Sequence, residues 1–182
     1  MNAAEHARDD ARTLFQEHGP AVYRFAAVML RHHQDAEDVV QETFLKLLEH
    51  LRNQKDTSNL RGWLFTVAAH AARDRQRRRL RWIPWAPAHD RVIAPPQLAD
   101  EDGQLKAARE AMHRLAPRDR LLLALRASGL SYRDIAAASG IRPASVGRLL
   151  ARALERWSKV SGEQARLAAN HPVGKDRTSW TV

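Results

Sequence analysis

Ser131-Tyr-Arg-Asp-Ile-Ala-Ala-Ala-Ser-Gly-Ile-Arg-Pro-Ala-Ser-Val-Gly-Arg-Leu-Leu-Ala-Arg152 is the stretch whose reading decides the fold. Ser131 is placed to cap a helix over 132–138, with Asp134 three residues on as an acidic variant of the capping box. Ser139-Gly140-Ile141 then reads as a tight turn. Pro143 suits the first turn of a second helix, because its missing N–H has no intrahelical partner there. Small Ala136 lets two helices cross closely, and Ile135, Ile141, Val146 and Leu149 can lock them together. The spacing is that of a helix-turn-helix, whose second helix enters the major groove of DNA.

On that second helix Arg142, Ser145, Arg148 and Arg152 project away from the packing side. Arginine can read guanine edges bidentately, and the early turns of such a helix reach the bases. Tyr132 and Arg133, on the first helix, are better placed for phosphates. Leu154 and Trp157 are expected to extend the core.

Upstream, the segment 105–127 continues helical patterning through Leu105, Ala108, Met112 and Leu115. Pro117 opens a strongly apolar helix carrying Leu121, Leu122, Leu123 and Leu125, which Gly129 should stop. Before it lie Pro84, Pro87, Pro95 and Pro96, with Trp82 and Trp85 and an acidic end at Asp100-Glu101-Asp102. Such a stretch cannot continue a helix and reads as a linker over 83–103.

The N-terminal half also reads as helices. Leu14, Phe15, Val22, Phe25, Met29 and Leu30 recur at helical spacing, and His18-Gly19-Pro20 is expected to break or kink the first helix. Asp35 is read as the N-cap of the next helix, with Glu37 and Asp38 favouring its positive end. That helix, over 36–51, puts Val40, Phe44, Leu47, Leu48 and Leu51 on one face; Asp38, Gln41, Glu42 and Glu49 lie on the other. A polar loop over 53–59 follows. A third helix from Leu60 presents Trp63, Leu64, Val67, Ala68 and Ala71, then runs into Arg73, Arg75, Arg77, Arg78, Arg79 and Arg81. A single aromatic on an apolar helical face, as Trp63 is, belongs to a core before it belongs to a base stack. No strand-like alternation persists, so the fold class is all-α.

The 182 residues carry a net charge of +9, and its distribution says more than the total. Residues 1–60 hold seven basic against ten acidic side chains, and 61–81 hold seven against one. The linker is acidic again, while 105–160 holds twelve basic against four acidic. Two basic blocks divided by an acidic one suggest two places that meet a polyanion. The absence of cysteine removes disulfides, thiolate chemistry and cysteine-based zinc sites. No apolar run of membrane-spanning or signal-peptide length occurs, so a cytoplasmic protein with no membrane insertion is expected. Nine histidines invite thoughts of catalysis, yet no HExxH, Walker loop or close acidic cluster on a cationic face accompanies them. No catalytic residue, metal site or cofactor is assigned.

The segment Asp35-Ala-Glu-Asp-Val-Val-Gln-Glu-Thr-Phe-Leu-Lys-Leu47 resembles sigma region two, as does Leu60-Arg-Gly-Trp-Leu-Phe-Thr-Val-Ala-Ala-His70 running into the arginines. Together with the C-terminal Leu-Ser-Tyr-Arg-Asp-Ile-Ala helix-turn-helix, the chain over about 11–158 resembles an extracytoplasmic-function sigma factor. The resemblance implies two helical domains, over 10–82 and 104–160, with a tail over 161–182 that matches nothing. It implies a dissociable specificity subunit of bacterial RNA polymerase, with no active site of its own. Asp35, Asp38, Gln41 and Glu42 would dock on a coiled coil of the polymerase largest subunit. Arg61, His70, Arg73, Asp74, Arg75, Arg77, Arg78 and Arg79 would engage the minus-ten promoter element. The helix-turn-helix would dock on the minus-thirty-five element, and the acidic end of the linker could mimic nucleic acid in the polymerase. An anti-sigma factor is a further implied partner. The chain departs from the pattern at Gly147 and Leu149, where basic residues are common, and at His70, where asparagine is. The competing reading is a helix-turn-helix regulator that never joins polymerase; it leaves the acidic helix and the first basic block without a role.

Overall fold

The computed structural model describes residues 3–81 and 103–170. Over those residues the chain is seven helices and no strand. The linker read over 83–103 lies outside the described residues apart from its last position, and so does the end of the tail.

Helix α1 (Ala3–Met29) runs through Pro20 without a break, which corrects the expected interruption at 18–20. Pro20 sits on the exposed side, where water can satisfy the carbonyl its ring leaves unpaired. Helix α2 (His33–Arg52) begins two residues before Asp35, with His32 at the N-cap and no side-chain cap bond. Asp35 is therefore a first-turn residue, favourable to the helix dipole but not the cap. The expected apolar face of α2 is buried through Val40, Phe44 and Leu47.

Helix α3 (Leu60–Arg81) is the central element. Leu64, Phe65, Ala68, Ala69, Ala71 and Ala72 are all buried, so its buried positions spread round much of the helix. A helix packed on several sides loses its single apolar stripe. The alanines let α1 and α2 approach on one side and the C-terminal half on the other. Phe65 meets Phe25 of α1 edge-on at 5.5 Å between centroids, a favoured aromatic geometry.

In the C-terminal half α4 (Gly103–Arg114) leads to α5 (Pro117–Ala127), with Pro117 in the first turn as read. Leu121 to Leu125 are buried without exception, since α5 lies among α1, α6 and α7. Gly129 takes φ +77° just beyond its end, a conformation only glycine adopts freely. Helix α6 (Tyr132–Ser139) and helix α7 (Pro143–Asn170) complete the chain. One continuous apolar cluster runs from Val22 through α3 and α5 to Ala153. At roughly 1.5–3 kcal/mol for each fully buried large side chain, this cluster dominates stability.

Candidate nucleic-acid interface

The helix-turn-helix forms by the local chemistry read from its sequence. Ser131 Oγ accepts from the Asp134 backbone N–H at 3.2 Å and donates to Asp134 Oδ2 at 2.6 Å. These bonds, led by the Ser131 hydroxyl, hold the Asp134 carboxyl below its usual pKa. Gly140 turns the chain with φ +74°. Ile135 and Val146 are fully buried, while Ile141 and Leu149 pack at the margin.

Arg142, in the turn before α7, and Arg148 and Arg152 on α7 have exposed side chains, and Ser145 is half-buried. Tyr132 and Arg133 are exposed at the start of α6, and the Arg126 guanidinium lies 5.7 Å from the Tyr132 ring centre. Tyr132 also reaches over Gly147, where a Cβ would stand 3.4 Å from its ring. Trp157 packs on the core as read, but Leu154 is 52% exposed. Leu154 stands on the exposed side of α7, next to buried Ala153, and does not extend the core.

The first basic block divides by direction. Arg77 and Arg78 are exposed, Arg77 lies 3.6 Å from Asp74, and Asp74 and His70 are exposed one and two turns earlier. Partial burial, then the positive charge of Arg73, lowers the His70 pKa, which favours a neutral ring. Four other arginines are occupied. Arg61 Nη2 donates to the Ser128 carbonyl at 2.7 Å, and Arg73 donates to those of Ala138 and Ser139 at 2.9 and 3.3 Å. Each cation thus closes the C-terminal end of a helix in the other half of the chain, the negative pole of its dipole. Arg75 binds Glu42 at 2.9 Å and lies 3.9 Å from Asp38, while Arg79 binds Asp35 at 2.7 Å.

No local pattern marks these pairings, because the partners lie 33 to 67 residues apart. On α2, Gln41 is exposed, whereas Asp35, Asp38 and Glu42 turn partly toward the arginines of α3. Hydrogen bonds from Lys46 and then Arg75 lower the Glu42 pKa. Leu45, 64% exposed among these acidic residues, was not singled out in the sequence.

The loop before α3 is also built. Asp56 accepts from the backbone N–H and the hydroxyl of Ser58, both at 2.8 Å, and His50 Nε2 lies 2.9 Å from the Asp56 carbonyl oxygen. His50 packs on Trp63 at 4.5 Å between ring centres, so Trp63 serves the core and the loop. Among the described residues no group of side chains could hold a metal ion, and no helix is long and apolar enough to cross a membrane.

Residues 14–82 match the Sigma-70 region 2 family, and residues 105–156 match the Sigma-70 region 4 family. The chain is 31% identical over 161 residues to RNA polymerase sigma factor CarQ of Myxococcus xanthus, covering 86% of this chain and 92% of CarQ. It is 33% identical to ECF RNA polymerase sigma factor EcfG of Rhodopseudomonas palustris, over 78% of each. Its structure is similar to that of the sigma factor RpoE solved with the anti-sigma factor NepR from Bartonella quintana. That match has a TM-score of 0.65 at 28% identity and covers 83% of this chain and 96% of RpoE. The fold is shared as well with CnrH, solved with the cytosolic domain of CnrY, at a TM-score of 0.63 and 24% identity, over 93% and 94% of the two chains. Two sigma regions in order, on an all-helical fold with basic faces, make this chain a member of the extracytoplasmic-function sigma factor family, which directs RNA polymerase to promoters.

Proposed function

We propose that three surfaces divide the work of this sigma factor. Asp35, Asp38, Gln41 and Glu42 of α2 dock on polymerase, with charge steering the encounter and fixing its register. Residues Arg61, His70, Arg73, Asp74, Arg75, Arg77, Arg78 and Arg79, with the loop before them, hold the opened minus-ten element. Arg142, Ser145, Arg148 and Arg152 read the minus-thirty-five duplex, and Tyr132 and Arg133 seat the helix on its phosphates. The domains span 10–82 and 104–160, and the chain has no catalytic centre of its own. The observation that carries this reading is the separation of charge by element. Arg77 and Arg78 are exposed on the far end of α3 and Arg148 and Arg152 on α7, while Asp35, Asp38, Gln41 and Glu42 lie together on α2.

An anti-sigma factor is the regulator this reading expects, by analogy with RpoE, which was solved bound to one. A helix-turn-helix regulator independent of polymerase is not favoured, because it gives the region 2 match no role.

The test is to footprint reconstituted holoenzymes carrying grouped alanine variants. Arg148→Ala with Arg152→Ala should remove protection upstream, whereas Arg77→Ala with Arg78→Ala should remove permanganate reactivity at the minus-ten element. Asp38→Ala with Gln41→Ala should weaken assembly with core polymerase. Equal loss at every step from each group would overturn the division of roles.

A further inference from the structure

A cavity of about 650 Å³ lies apart from the three surfaces, between the corner that joins α4 to α5 and the second half of α7. Two pairs of cations line it, Arg114 and Arg118 from the corner and Arg156 and Lys159 from α7. Its one carboxylate is Asp119, whose side chain is only 2% exposed. Asp119 Oδ2 accepts from Arg156 Nη1 at 2.5 Å, and Arg118 Nε stands 3.5 Å from Oδ1 without a hydrogen bond. A buried carboxylate so placed aims two guanidiniums without using up their donors. Arg114 is exposed and has no ion-pair or hydrogen-bond partner among the described residues. Lys159 is held only by exposed Glu155 at 2.8 Å, a pair that yields readily to a stronger anion. Ala116 gives α5 no side-chain cap, so the positive end of that helix adds to the field. Between the cations the wall is apolar, through Ala116, Pro117 and Val160.

Four cations against one anchored carboxylate leave the lining positive. Like charges so gathered repel one another unless an anion joins them. Guanidiniums already fixed in direction bind phosphate bidentately and lose little freedom in doing so. Two cation pairs on separate elements suit two phosphate groups, and the apolar wall between them suits a flat uncharged body. We propose that this cleft binds a nucleotide carrying two or more phosphates. Arg114 and Arg118 take one phosphate group, Arg156 and Lys159 take the next, and the base lies against Pro117 and Val160. The volume falls within the roughly 300–1,000 Å³ of small-molecule sites. The bound nucleotide ties the α4–α5 corner to α7, the helix whose first turns carry Ser145 and Arg148. Arg156 and Lys159 also follow Arg152 along α7 by four and seven residues, so duplex DNA is the competing source of phosphate. A concave site lined from two elements fits a small ligand better than it fits the convex side of a duplex.

The test uses the full-length chain and isothermal titration calorimetry at low salt, with ADP, GDP and inorganic pyrophosphate as probes. Saturable binding tighter than about 1 mM is expected, with either nucleotide ahead of pyrophosphate because the base covers the apolar wall. Arg114→Gln with Arg118→Gln should weaken nucleotide binding about ten- to hundredfold. A control of equal charge change, Arg8→Gln with Arg12→Gln at exposed positions of α1, should bind as the unaltered chain does. Lys159→Gln alone, also at an exposed position, should weaken binding in part and covers the case in which the double variant melts early. No saturable binding by any probe, or equal weakening in the control, would overturn the proposal. Duplex binding separates the two sources of phosphate. A minus-thirty-five duplex should bind the corner variant and the control equally well. Loss of duplex affinity in the corner variant alone, with no nucleotide bound by the unaltered chain, makes the cleft a DNA contact and refutes the nucleotide.

Discussion

The side-chain amide of Asn59 donates to Asp134 Oδ1 at 2.6 Å, joining residues 75 positions apart. Asn59 Oδ1 also accepts the Gly62 backbone N–H at 3.2 Å and so caps α3. Asp134 completes the cap of α6. The starts of α3 and of the first helix of the helix-turn-helix are thus tied together. On the roles proposed above, the promoter elements they would serve lie roughly 85 Å apart, at about 3.4 Å per base pair, and engaging both would part this contact.

Gly62 sits inside this contact. A Cβ there would stand 2.6 and 2.7 Å from the Asn59 amide atoms and 2.7 Å from Asp134 Oδ1. Gly62→Ala should therefore displace the Asn59 and Asp134 side chains, break their hydrogen bond and loosen the junction between the halves. With no native cysteine, labels at Gln16→Cys and Ser158→Cys can report it. A broader, longer distance distribution in Gly62→Ala is expected, and an unchanged one would show that the contact yields locally.

Acid should destabilise the fold through His113. Burial first, then the charges of Arg120, Arg31 and Arg109, lowers its pKa from 6.5 to about 4. Arg120 Nη1 lies 3.3 Å from His113 Nδ1, consistent with donation to a neutral ring, and also donates to the Met29 carbonyl at 3.2 Å. The unfolded chain takes up the proton at the ordinary value, so it binds more protons than the folded chain between pH 6.5 and 4. Stability falls as pH drops through that window, by up to about 3 kcal/mol at about 1.4 kcal/mol per unit. His113→Gln should flatten this part of the profile in denaturant melts across pH.

In the recognition helix, Arg148→Ala should cost about 1–3 kcal/mol on the preferred minus-thirty-five duplex and relax discrimination at one position. Arg133→Ala should instead weaken all duplexes alike and reduce the salt slope by about 0.9. Competition binding with point-substituted duplexes separates the two. Identical profiles would contradict the assignment of bases to α7 and phosphates to α6.

The shared core predicts that damage in one half is felt in both. Leu122 is fully buried on α5 and belongs to the cluster that reaches α1 and α3. Leu122→Ala should cost about 2–5 kcal/mol. Calorimetry should show one transition moving as a unit, whereas a separate unmoved transition would mean that the halves melt independently.

What the sequence revealed was local. Ser131, Gly140 and Pro143 each impose a backbone state on their own neighbours, so the helix-turn-helix could be read directly. Asp35 looked like a cap because its side-chain chemistry suits one, but helix formation began earlier, at His33. Leu154 matched a helical apolar spacing, but it falls on the exposed side of α7, while its neighbours Ala153 and Trp157 face the core. The uses of Arg61, Arg73, Arg75 and Arg79 were hidden for another reason. An arginine run signals a polyanion equally well whether its members face solvent, carboxylates or helix ends, and only the tertiary fold decides among them.

The most direct test of the central claim is run-off transcription by core RNA polymerase on genomic fragments, with and without this protein. Discrete transcripts that appear only when the protein is added, with footprints spanning both promoter elements, are the predicted result. Tight duplex binding without any transcript, and without co-purification with core polymerase, would contradict it.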